Sequence, residues 1–402
     1  YTANDFESWR ELNNIFRRGF IQQHGVNLQG SSGIFNYLVS YENRAEQGIV
    51  IQNNLARQSV RVNLDAVTSK NLTIGASVNF TENTVDRPQN DNNTLGWLVN
   101  TAIQSPLTPP VGDAGAAGLR VPNGFVDPVG GRRSTFAFGG VDSAGIAAAE
   151  NLTRTQRFVG SIDLRFTPDF LPGLNLSALV GYDVRNTNNN IFFPANRTYA
   201  GVNRGNRGIF AFTAERLNID FNATYDYTIT EGLKAKTTAG GQAWNEITRS
   251  VQASAQQFPT ELIRDVGAGL ATTRIVAEGL GNIRNAGWFV EQKFDYKETF
   301  FLTGAVRQDY ASSYGVEAPN IFYPAASTAI RLDKLGFLPE VVNLAKFRVA
   351  YGENGRLPGF SDGQSLLWTA GTSPYGAGAT RSIAGNPAIQ PERTQELEIG
   401  LE

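Results

Sequence analysis

Residues 217–229 read LNIDFNATYDYTI, an unbroken alternation of apolar and polar side chains. Leu217, Ile219, Phe221, Ala223, Tyr225, Tyr227 and Ile229 fall on one face; Asn218, Asp220, Asn222, Thr224, Asp226 and Thr228 fall on the other. Successive side chains of a strand point to opposite faces, so this ribbon is apolar on one side and wet on the other. Strands of soluble domains usually hold about 5–6 residues, whereas a tilted strand crosses a bilayer in about 9–11. The same pattern recurs at 71–81, 158–166 and 174–185, and more weakly at 60–67, 233–243, 288–296, 300–307 and 347–353. A soluble sandwich also alternates, but with shorter strands and turn signals about every 8–12 residues. Length and recurrence together predict an all-β, antiparallel transmembrane β-barrel wall of about 12–14 strands.

Within 217–229 the odd-numbered residues are expected to face lipid and the even-numbered ones the lumen. The charges Arg61, Asp65, Asp163, Arg165, Asp183, Arg185, Glu291, Lys293 and Asp295 belong to polar faces. Placing Lys or Arg against mid-bilayer lipid costs about 2–4 kcal/mol, so these residues should point inward and pair there. Trp288, Phe300 and Tyr182 sit on apolar faces and are expected among the lipid-facing and interfacial rings.

Connections alternate in length. Short ones lie near residues 30–33, 68–71, 168–173, 230–232 and 296–298; longer ones near 44–55, 84–151, 186–208, 251–274, 312–320 and 354–392. Short periplasmic turns and long extracellular loops are the asymmetry of a membrane barrel. Loops 84–151 and 354–392 should therefore share a side, opposite the turns at 68–71 and 296–298. The first 19 residues could hold a helical turn or two. Residues 394–402 read TQELEIGLE, again strand-like, so the chain is expected to be a piece of a larger barrel.

The 402 residues include 35 Lys and Arg against 37 Asp and Glu, a balance that argues against nucleic-acid binding, which shows a basic excess. No apolar run approaches the roughly 18 residues of a transmembrane helix. With no cysteine and one histidine, His24, thiol chemistry and the usual zinc sites are out; His24 is expected at the lumen or rim. There is no P-loop and no GxSxG nucleophile elbow, and no cofactor is expected. Asp86, Asn90, Asp91, Asn92 and Asn93 offer oxygen ligands but lack the ordered spacing of a calcium loop, and read better as a solvated loop.

Rings embedded in polar loops stand apart: Trp97, Phe125, Phe136, Phe138, Tyr199, Trp368 and Tyr375. Such a ring either staples its loop or offers contact area to a ligand. Arg132 and Arg133, beside Phe136, could pair with an anionic group. These nine residues are the candidate ligand or partner contacts.

Several ordered stretches resemble the SusC/RagA family of TonB-dependent outer-membrane transporters of Bacteroidetes. They are RRGFIQQHGVNLQGSSGIFNYLVSYENRAEQGIV (17–50), RQSVRVNLDAVTSKNLTIGASVNF (57–80), RQDYASSYGVEAPNIFYPAASTAIRL (307–332), LAKFRVAYGENG (344–355) and NPAIQPERTQELEIGLE (386–402). The resemblance covers nearly the whole chain. It implies an outer-membrane location and part of a barrel of about 22 strands, without the family's plug. It further implies import of a bulky nutrient, oligosaccharide or peptide, energised by the TonB complex under a SusD-like surface lipoprotein, and no enzyme activity. A passive porin, or an anchor barrel in a larger surface assembly, is the alternative.

Overall fold

The computed structural model describes residues 17–50, 52–88, 149–195, 205–260, 262–339, 341–363, 368–373, 375–381 and 384–402, with two short strands at 125–126 and 133–134. The strands in chain order are β1 (Phe20–Ser32), β2 (Phe35–Gln47), β3 (Asn54–Ser69), β4 (Leu72–Asp86), β5 (Phe125–Val126), β6 (Arg133–Ser134), β7 (Glu150–Phe166), β8 (Leu174–Phe193) and β9 (Asn206–Thr230). They continue with β10 (Leu233–Gln256), β11 (Ile275–Tyr296), β12 (Phe300–Ala311), β13 (Ile321–Arg331), β14 (Lys346–Arg356), β15 (Trp368–Ser373), β16 (Gly376–Arg381) and β17 (Glu392–Leu401). Thirteen of them form one antiparallel sheet, in the order β1-β2-β3-β4-β7-β8-β9-β10-β11-β12-β13-β14-β17, each beside its neighbour in sequence. β5–β6 and β15–β16 are two-stranded hairpins within the connections. The all-β, antiparallel reading and the expected strand number are both borne out.

The register carries an apolar band across all thirteen strands. From Val26 it passes through Val60, Phe80, Phe158, Val180, Ile219, Ala243, Val290, Val306, Ala326 and Tyr351 to Leu397. Nothing in the sheet covers this face: Leu217, Ile219 and Phe221 are 40, 47 and 50% exposed. A sandwich would bury them against a second sheet; a barrel shows them to lipid. Stacked Tyr225 and Tyr227 (5.1 Å) and tilted Tyr296 and Phe300 (6.3 Å) edge the band near the short turns, as interfacial girdles do.

The topology separates the connections as expected. Strand ends at Ser32, Ser69, Phe166, Thr230, Tyr296 and Arg331 lie at one end of the sheet, and the long connections 87–149 and 357–391 leave from the other. At the short end Gly232 turns β9 into β10 with φ +84°, a left-handed conformation suited to glycine. Ion pairs knit these turns together: Lys70 to Asp169 at 2.8 Å, Lys334 to Glu298 at 2.7 Å, and Arg331 to Asp333. Hydrogen bonds from Lys70, Lys334 and Arg331 respectively hold the three carboxyls below their ordinary range.

The strands outrun the alternation at the loop end. β8 continues to Phe193 and β9 starts at Asn206, so connection 186–208 shrinks to 194–205. β10 reaches Gln256 and β2 reaches Gln47, inside the expected loops 251–274 and 44–55; β11 starts at Ile275, well before 288. Beyond the bilayer both faces of a strand meet water, so the ladder persists without a binary pattern, as in the NTNNN run of β8. Pro324 is tolerated within β13 because β14 pairs only from Ala325 onward, so the missing N–H costs no ladder bond on that side. Residues 1–16, where a helical turn was expected, lie outside the described residues.

Candidate functional site

The face opposite the apolar band is the polar, lumen side. All nine charges expected there share it, because each is in register with residues one step off the band. Most pair locally: Arg165 with Asp163 at 3.1 Å, Lys293 with Glu291 at 2.9 Å, and Arg61 with the Asn63 amide at 3.3 Å. Arg157 grips Asp183 with two bonds, 2.9 and 2.5 Å long. Such forked pairs fix direction more than they add stability. His24 shares the face of Val26 and Leu28 just beyond the band, a rim position on the outer side of the wall.

Aromatic rings intrude among these charges. The Arg216 guanidinium lies 4.4 Å over Trp244, and Arg185 lies 5.5 Å over Phe212, itself stacked on Phe210. The Phe289 ring occupies the space above Gly240, where a Cβ would come within 2.5 Å of it. Arg307 joins Asp309 at 2.8 Å and the Gln242 amide oxygen at 3.2 Å. The lumen face thus offers flat apolar rings beside fixed guanidiniums, able to stack on a planar group and bond an anionic or carbonyl oxygen. These rings were not among the sequence candidates. Extending the parity of 217–229 backward into 206–216 would have placed Phe210, Phe212 and Arg216 beside Asn218.

The loop end is built separately. Phe192, Ala255 and Phe258 form a small buried core beyond the band. Onto it folds connection 257–274, carrying two 3-10 turns, Val266–Ala268 and Ala271–Thr273. Arg264 fastens it, bonding both Glu150 carboxylate oxygens (2.6 and 2.8 Å) and lying 4.6 Å over Phe192. In the connection between β12 and β13, burial pushes the Tyr314 hydroxyl well above its usual range.

Among the sequence candidates, Tyr375 sits at the tip of the β15–β16 hairpin, 99% exposed, and Trp368 opens β15 in register with Arg381. β5 and β6 bring Phe125 opposite Ser134, and Arg133 opposite Val126, within one hairpin. Trp97, Arg132, Phe136, Phe138 and Tyr199 lie outside the described residues, as do Asn90, Asp91, Asn92 and Asn93. Asp86 of the acidic loop cluster ends β4 beside the Asn54 amide (3.4 Å).

A long antiparallel meander, apolar outside, charged inside and looped at one end, defines an outer-membrane β-barrel wall. Residues 106–402 match the family model "TonB dependent receptor-like, beta-barrel", and the chain belongs to that family of outer-membrane receptors. Two TonB-dependent receptors of Formosa agariphila are similar: P3 at 22% identity over 96% of this chain and 38% of its own length, and P26 at 25% over 94% and 37%. The chain therefore spans under two fifths of the relatives it matches. Among solved structures, the RagAB peptide importer in its open-open state superposes with a TM-score of 0.79 at 17% identity, over 97% of this chain and 42% of that one. The ferric citrate transporter FecA gives 0.57 at 10%, over 96% and 46%. At such identities these structures speak for the fold.

Proposed function

We propose that the chain is the wall of a SusC-like, TonB-energised importer of a bulky nutrient, an oligosaccharide or peptide, working with a SusD-like surface lipoprotein. The observation that carries the reading is the family match over residues 106–402, and the likeness to the RagAB peptide importer supports it. In this reading residues 1–402 are one barrel-wall unit without a plug of their own. The rings Trp97, Phe125, Phe136, Phe138, Tyr199, Trp368 and Tyr375, with Arg132 and Arg133, meet cargo or lid at the loop end. Arg216–Trp244 and Arg185–Phe212 then line the route below.

The test is uptake by the full-length protein in its own outer membrane, with labelled oligopeptides and oligosaccharides, with and without functional TonB. Uptake of one class that stops without TonB supports the proposal. Uptake that persists without TonB makes the barrel a passive porin, and no uptake at normal barrel levels makes it an anchor.

A further inference from the structure

Charge is sorted along the lumen face. On β3, β4, β7, β8 and β9 one ladder row, Asn63, Ser77, Ser161, Gly181 and Asn218, divides it. Toward the long loops the charged inward residues of these strands are Arg57, Arg61, Arg157, Arg185 and Arg216 against Asp183. Toward the short turns they are Asp65, Asp163, Asp220 and Asp226 against Arg165.

Within the basic half, arginines stand directly opposite one another. Arg44 of β2 faces Arg57, and Arg157 faces Arg185. Like charges so placed repel, and local acids relieve one member of each pair: Glu46 meets Arg44, and Asp183 takes Arg157. Arg57 and Arg185 are exposed and make no ion pair among the described residues. The opposed Lys236 and Lys293, nearer the short turns, differ, because each has its own acid: Asp226 at 3.1 Å and Glu291 at 2.9 Å. Between the two free arginines runs an uncharged polar row. Arg57 is in register with Asn83, Asn83 with Thr155, Thr155 with Thr187, and Thr187 with Phe212, over which the Arg185 guanidinium lies at 5.5 Å. Three strand spacings of ~4.8 Å set the strands of Arg57 and Arg185 about 14 Å apart.

Free guanidiniums at both ends, amide and hydroxyl groups between and a ring at one edge suit an extended, hydroxyl-rich anion. A peptide held as an added strand needs free backbone groups, and here the ladder uses them. We infer that the upper lumen wall from β2 to β9 binds an anionic oligosaccharide, whose carboxylate or sulfate groups bridge the opposed pairs Arg44–Arg57 and Arg157–Arg185. The planar guanidinium fork matches such oxygens, and the bound anion relieves the repulsion within each pair. This site rests on the import reading, whose cargo it narrows.

Full-length protein in lipid vesicles is titrated calorimetrically with oligogalacturonate, a carrageenan-derived sulfated oligosaccharide, methyl-esterified oligogalacturonate and oligoglutamate. Wild type should bind at least one of the two anionic sugars tenfold more tightly than the neutral ester or the acidic peptide, with affinity falling as salt rises. Arg57→Gln and Arg185→Gln should each weaken that binding at least fivefold and Arg57→Lys less. Arg284→Gln, which removes a cation from the outer face, should leave it unchanged. Each of the two lumen substitutions removes a like-charge contact, so neither should lower the unfolding midpoint of the unliganded protein. A lowered midpoint with binding intact makes these arginines structural and overturns the inference, as does a wild type with no preference for either anionic sugar. TonB-dependent uptake, measured alongside, separates the two readings. Neutral cargo taken up only with TonB leaves the importer standing without this site; anion binding without TonB-dependent uptake leaves the site without the importer.

Discussion

Some polar side chains on the lipid face are matched in pairs. Trp288 donates its indole N–H to the Gln308 amide oxygen at 3.0 Å, and Thr237 donates to Gln292 at 2.6 Å. A lone donor or acceptor here has no water to turn to. Trp288→Phe should therefore destabilise the barrel by about 1–3 kcal/mol by orphaning the Gln308 oxygen. Adding Gln308→Leu should recover much of that loss, in urea unfolding of the full-length protein from lipid vesicles. Two single losses that simply add would show that the pair is not coupled. At the opposite, aqueous end Asp333 accepts from Arg331 and from the Ala345 N–H at 3.1 Å. The Arg331 bond holds its carboxyl well below the usual range. A folded value below the unfolded one means the contribution is full above the unfolded pKa of about 4, and is lost as pH falls through the folded value. The gap in unfolding midpoint between wild type and Asp333→Asn should be widest at pH 7 and narrow below about pH 4. A gap that does not change with pH would leave Asp333 a purely packing role.

Strands and loops differ in what their residues reveal. Inside the bilayer the alternation of β9 and the parity of all nine inward charges are legible, because lipid and lumen impose opposite demands on adjacent residues. Above it β8 runs on through Asn188, Asn189 and Asn190 and β10 through Ser250 and Gln252, where water on both faces erases that contrast. Trp244 and Phe212 escaped notice for a related reason: a lumen-facing ring looks misplaced until register sets it beside Arg216 and Arg185. The loop rings were found by composition alone, and no periodicity assigns their partners. Connection 87–149 is the longest, and connections of such length are commonly functional. Replacing Trp97, Phe125, Phe136 and Phe138 together by alanine in the full-length protein should cut uptake or lid association severalfold, with barrel levels in the outer membrane unchanged. Normal uptake would reduce those rings to staples of their own loop.

At the scale of the molecule, thirteen strands make one continuous surface with two chemistries, and every assignment above depends on which of them meets lipid. The apolar band from Val26 to Leu397 is unbroken because each register step keeps parity from strand to strand; a one-residue slip would turn a whole strand inside out. The most direct measurement uses single cysteines, which this cysteine-free stretch allows. Phe221→Cys and Asn222→Cys, placed singly in the full-length protein in membranes and spin-labelled, are compared for relaxation by oxygen, which concentrates in lipid, and by a water-soluble nickel chelate. The account predicts that the label at 221 responds to oxygen and is shielded from nickel, and that the label at 222 does the reverse. The opposite pattern, or two labels equally open to nickel, would contradict a membrane wall in this orientation.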